Sequence, residues 1–146
     1  MLTYFKLPLL MSLLGAVMIS SQAAAEKPKP VVHSTSWEGG SFHYPAGDAE
    51  VTIVKLVINE GDEPPFHCHP VPTMGYVVKG ELEVTTQDGK KKRFKQGDAV
   101  VEMMGTVHRG LPIKAPVELV VFYAGAQGVP TTVLPANDPD HEFCKE

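Results

Sequence analysis

Gly61-Asp-Glu-Pro-Pro-Phe-His67-Cys68-His69, answered further on by Gly105-Thr-Val-His108, is the stretch whose reading decides the fold. In an extended strand the side chains at i and i+2 share a face, so His67 and His69 point the same way. Neutral imidazole is the commonest protein metal ligand. If His108 lies on a facing strand, three ring nitrogens converge on one point.

Outward from the histidines the chain reads as β-structure throughout. Val51 to Ile58 is rich in β-branched residues and long enough for a central strand. Gly61 to Pro65 breaks it, and Pro70 and Pro72 end a short strand over Phe66 to His69. Two strands, Gly75 to Val78 and Glu81 to Thr86, are expected around Lys79-Gly80. In the second, Leu82 and Val84 alternate with Glu81, Glu83 and Thr85, the period of a half-buried strand. Asp88-Gly89 signals a hairpin whose two central residues favour positive φ. It leads into Lys91 to Phe94. Gln96-Gly97-Asp98 is a second turn, and Ala99 to Met103 and Val117 to Tyr123 are further strands. No stretch carries sustained helical periodicity, and many short strands between Gly and Pro predict an all-β sandwich or barrel. The basic run Lys90 to Arg93 alternates faces on a strand, so it reads as a solubilising edge rather than an anion site. The tail from Gly128, with Pro130, Pro135 and Pro139, is expected to wrap the surface.

The N-terminus reads differently. Lys6, an apolar run from Leu7 to Ile19 and Ala23-Ala24-Ala25 follow the order of a secretory signal peptide, with residues 1–25 removed. The apolar run is short for a membrane span, which needs about 20 residues, so no stable anchor is expected after cleavage. The domain division is then a leader at 1–25, a lead-in and first strand at 26–48, a barrel at 49–126 and a tail at 127–146. Of 146 residues 121 remain, one compact domain in size. Loss of Lys6 from 13 basic residues, against 17 acidic ones, leaves a net charge of −5. A mildly acidic chain without an extended basic surface argues against a nucleic-acid partner. The reading places the protein in a periplasm or outside the cell. Export makes a disulfide between Cys68 and Cys144 chemically possible. Cys68 would face away from the two histidines, toward the tail, and two unlinked thiols are the alternative.

The spacing also resembles the cupin superfamily. Its first motif, a glycine followed by H-x-H, a glutamate and a closing glycine, falls on Gly61, His67, His69, Thr73 and Gly80. Its second, two glycines, a proline, a histidine and an asparagine, falls on Gly97, Met103, Gly105, His108 and Pro112. The glycines and histidines are kept. Thr73 replaces the glutamate, Met103 the proline and Pro112 the asparagine. The resemblance implies a single double-stranded β-helix, or jelly-roll, barrel that commonly pairs as a homodimer.

It further implies a divalent metal (Fe, Ni, Mn, Cu or Zn) held by His67, His69 and His108. With Thr73 in the carboxylate position, the expectation is three neutral nitrogens and an open face. Glu102 is a candidate replacement carboxylate, although a solvated strand-end glutamate is the expected reading. Tyr76 and Tyr123 could place phenols near a ligand. His33, His43 and His141 lie outside the motifs, and Arg109 adjoins His108 with a surface role preferred. The functions open to such a site are a metal-dependent dioxygenase or isomerase acting on a small polar molecule. The alternative is a non-catalytic ligand- or metal-binding barrel, for sensing, storage or as a structural dimer module.

Overall fold

A computed structural model describes residues 29–145, so the leader read at 1–25 lies outside the described residues. Five strands carry the architecture: β1 (Ala49–Ile58), β2 (Thr73–Thr86), β3 (Lys91–Lys95), β4 (Ala99–Val101) and β5 (His108–Ala126), with one 3-10 turn at Pro135–Asn137. Their pairings are antiparallel, in the order β1-β5-β2-β3, with β4 beside the start of β2.

β2 and β5 are the long elements, and both differ from the reading of the sequence. β2 runs through Lys79-Gly80 instead of breaking there. Its register shifts between Val77 and Leu82, and the chain bends without leaving the ladder. Gly80 makes this possible. It takes φ +81°, and a Cβ there would sit 2.5 Å from the Lys114 carbonyl oxygen and 2.6 Å from that of Pro116. β5 likewise passes through Pro112 and Pro116 to span residues 108–126, where only 117–123 was expected.

β1, expected in the centre of a sheet, is an edge strand paired with β5 alone. Its β-branched composition suits either place, and pairing order is not written in composition. Val51 and Ile53 are accordingly more than half exposed. The Asp88 hairpin differs too. Only Gly89 takes positive φ, and Thr86 pairs with Lys90 across a three-residue loop. This is a turn closed by a left-handed glycine, not one with two such residues.

The inward faces enclose one core. Ile58, Val77, Leu82, Phe94, Val100 and Leu119 bring side chains from all five strands together. On β3 only Phe94 is buried. Lys91 and Arg93 pair with Glu83 at 3.1 Å, so the basic run is a solvated edge.

A smaller apolar cluster of Cys68, Val107, Val133 and Cys144 lies behind the histidines. Cys68 and Cys144 form a disulfide with a Cα–Cα distance of 5.5 Å. The tail does more than wrap the surface. Val133 exchanges both backbone hydrogen bonds with Cys68, at 2.9 and 3.0 Å, so the tail is paired to the histidine segment itself.

Candidate metal centre

His67 and His108 face each other as a closely paired couple. The His67 amide donates to the His108 carbonyl at 2.9 Å, and the His108 amide to the His67 carbonyl at 2.8 Å. His69, two residues on, shares their face. The three ring centroids lie 4.8 to 5.2 Å apart. Glu102, just past β4, completes the group. Its carboxylate and the three rings offer four ligand atoms, all within 4.8 Å of one another.

Each ring is oriented by a backbone carbonyl. Nδ1 of His67 donates to Pro65 at 2.9 Å, Nδ1 of His69 to Thr131 at 2.7 Å and Nδ1 of His108 to Thr106 at 2.8 Å. A carbonyl oxygen only accepts, so each Nδ1 carries the proton and Nε2 of a neutral ring presents a lone pair. Nε2 of His69 and of His108 lie 3.0 and 2.8 Å from the same oxygen of Glu102. Lone pair against carboxylate is repulsive unless a positive charge joins them. A proton on each facing nitrogen meets that need, and so does a divalent cation in the midst of all four donors. Nitrogen donors fixed through their second ring nitrogen, with one carboxylate, suit Mn, Fe, Ni, Cu or Zn. The residues therefore fit the metal that the motif implies.

The electrostatics agree. Burial lowers the His67 pKa to about 4, with His69 and His108 adding to the effect, so this ring stays neutral. Burial alone would raise Glu102, but the hydrogen bonds from His108 and His69 outweigh it and hold the carboxyl well below its usual range. Burial would lower His108, and the Glu102 carboxylate overrides it, so that pKa is raised.

Beside the cluster lies a cavity of about 270 Å3. Tyr123 and Thr132 border it next to His69, with the Tyr123 ring 5.5 Å from the imidazole. The remaining walls are aliphatic or proline, apart from Gly110. Burial raises the Tyr123 pKa, which keeps its hydroxyl protonated.

The expectation of three nitrogens without a carboxylate is corrected. Glu102 is not solvated at a strand end. Its side chain is only 15% exposed and belongs to the cluster. Thr73 faces inward opposite Tyr123, yet its hydroxyl turns back to donate to the Val71 carbonyl at 3.0 Å. The Glu102 amide donates to the Thr73 carbonyl at 2.9 Å, so the two residues are neighbours across strands. The carboxylate has moved one strand over. Tyr76 lies on the outer face, about half exposed, away from the cluster. His43 borders a separate surface hollow with Pro70 and Met104, and His33 and His141 are exposed. Arg109 stacks its guanidinium on Phe66, 4.6 Å from the ring centre. Thr131, Thr132 and the aliphatic lining escaped the sequence reading. A backbone carbonyl some sixty residues from its histidine leaves no local pattern.

Residues 54–123 match the family model for the Cupin domain. The fold is the double-stranded β-helix barrel that this domain defines. The match spans just under half of the chain and contains both histidine motifs, in agreement with the cupin resemblance of their spacing. Among solved structures, it is similar to an RmlC-like cupin family protein with a double-stranded β-helix fold from Methanocaldococcus jannaschii. The two share 20% identity over 70% of this chain and 94% of that one, at a TM-score of 0.49. It is similar to a cupin-like protein from Thermotoga maritima, at 15% identity over 61% of this chain and 77% of that one, TM-score 0.49. A third is a DMSP lyase from Ruegeria pomeroyi, at 24% identity over 69% of this chain and 49% of that one, TM-score 0.46. No curated protein matches the chain.

Proposed function

We propose that this protein is an exported cupin enzyme that holds a divalent metal through His67, His69, His108 and Glu102 and acts on a small molecule bound beside it. One observation carries the reading: four ligand atoms within 4.8 Å, three of them on rings whose other nitrogen is bound to a backbone carbonyl. Such pre-orientation is what a metal site needs before the ion arrives. When bound, the ion supplies a positive centre able to bind and polarise an anionic oxygen or sulfur donor, as dioxygenase or isomerase chemistry requires. The chain's own groups do the rest. The carbonyls of Pro65, Thr131 and Thr106 fix the tautomers. Tyr123 presents a protonated hydroxyl beside His69. The aliphatic walls offer an apolar surface to the body of a ligand.

Export is supported by the leader sequence together with a formed disulfide, since such bonds persist in oxidising compartments. A homodimer is part of the same proposal. The outer sheet face leaves Val51, Ile53, Val57, Tyr76 and Phe122 exposed around the Lys55–Glu118 pair, an apolar surface that a second copy could cover.

The test begins with the mature protein purified from its own compartment. Mass spectrometry is expected to find one equivalent of transition metal, lost in His67→Ala and in His108→Ala. Sedimentation is expected to give a dimer. Protein that takes up no Fe(II), Mn(II), Ni(II), Cu(II) or Zn(II) on reconstitution would overturn the metal reading. Oxygen uptake and isomerisation assays on the loaded protein then separate an enzyme from a binding barrel.

A further inference from the structure

We infer that the ligand of this cavity is a small, single-headed monoanion: one metal-binding end and an uncharged apolar body. The inference rests on the metal reading above and deepens it.

Polar groups in the cavity are gathered at one end. The four ligand residues, Tyr123 and Thr132 are the only polar or ionisable side chains that line it, among the described residues. Tyr123 and Leu119 both face inward on β5, four residues apart, about 13 Å of strand. At the Leu119 end the wall is Ile58, Leu82 and Leu119, each no more than 5% exposed. Partly exposed Leu56 and Leu134 also line the cavity, so its outer parts are apolar as well. Among the described residues no lysine or arginine lines the cavity to pair with a second anionic group.

Charge sets the head. Three neutral imidazoles and one carboxylate leave a divalent ion with a single net positive charge. A monoanionic oxygen or sulfur donor neutralises it, which a site walled by aliphatic groups favours strongly. Size sets the body. A cavity of about 270 Å3 has room for a compact molecule of several heavy atoms. A second carboxylate or an ammonium at the far end would lose its hydration and meet no partner. Sugars, dicarboxylates and free amino acids are disfavoured on these grounds. This narrows the small polar molecule expected from sequence to an amphipathic one.

Three acids of equal chain length isolate the far end: pentanoate, glutarate and δ-aminovalerate. Calorimetry on the full mature protein loaded with Ni(II) is expected to give pentanoate at least about tenfold tighter than either of the others. Glutarate or δ-aminovalerate binding as well as pentanoate overturns the inference. So does loaded protein that binds none of the three. Leu56→Arg, at a partly exposed position on the cavity wall, is expected to shift preference toward glutarate. An unchanged order in this variant would place the ligand body elsewhere. The metal-free protein provides an arm independent of the ion. There, pentanol should raise the melting temperature more than pentanediol does. Equal shifts overturn the apolar-body inference even if metal binds, while failure of metal uptake overturns the function proposed above and the metal-binding head with it, and leaves the apolar body to be decided by the alcohol comparison.

Discussion

Glu102 and Thr73 exchange the roles that the motif leads one to expect. The charge is kept and only the strand that carries it changes, because position 102 lies across from position 73 and reaches the same rings. Glu102→Ala should therefore weaken metal binding by at least about 100-fold, since even partners outside the ligand set cost about 10- to 100-fold. Adding Thr73→Glu to that variant should restore part of it, measured by competition with a chelating dye. No rescue at all would mean that position 73 cannot reach the cluster. A second residue-scale consequence concerns acid. His67 binds its proton less readily in the folded state, about 4 against an ordinary 6.5. The unfolded chain then holds the extra proton, so this group makes the metal-free protein lose stability as pH falls from 6.5 towards 4. Glu102, also lowered, costs stability as pH falls below its ordinary value of 4.5. His108 is raised and works the other way. It stabilises below 6.5, and that contribution is lost as pH rises through its folded value. His67→Gln should flatten the melting temperature of metal-free protein between pH 6.5 and 4. A profile as steep as wild type would assign the acid sensitivity to another group.

At the scale of elements, the bend in β2 decides where the wall of the cavity stands. Register shifts around Gly80 let one continuous strand pair with β4 at its start, β3 near its end and β5 along its length. Gly80→Ala would force a Cβ onto two backbone oxygens at a left-handed φ, with no flexible side chain able to yield. We expect a loss of about 3 kcal/mol, from backbone strain and overlap together, read from denaturant unfolding. A loss below about 1 kcal/mol would show that the bulge relaxes. The same bend explains why two strands were expected where one exists. A Lys-Gly pair reads as a break from local propensity, and whether the ladder continues past it is settled by the partner strand. β5 hid behind Pro112 and Pro116 for the same reason.

Across the whole molecule, the sequence showed what repeats at short range. His67-x-His69 was legible because a period of two is local, and the motif glycines located the barrel around it. What could not be read was whatever two distant segments make together. Glu102 joins the cluster from another strand, Thr131 orients His69 through a carbonyl, and Leu56 and Leu119 become cavity wall only once β1 pairs with β5. The bond between Cys68 and Cys144 spans 76 residues, and losing it through Cys144→Ala should cost about 4 kcal/mol of stability from the freed chain. It also sits between His67 and His69 and holds the tail that carries Thr131 against His69. On the proposed metal reading, two bonds of quite different kinds share one piece of backbone, which would link their free energies. If the closed bridge tightens the hold on metal, then metal must, by the same factor, resist the opening of the bridge. A dithiol should reduce the metal-loaded protein less readily than the metal-free one. In this barrel the oxidation state of sulfur and the occupancy of the centre are then two readings of one equilibrium.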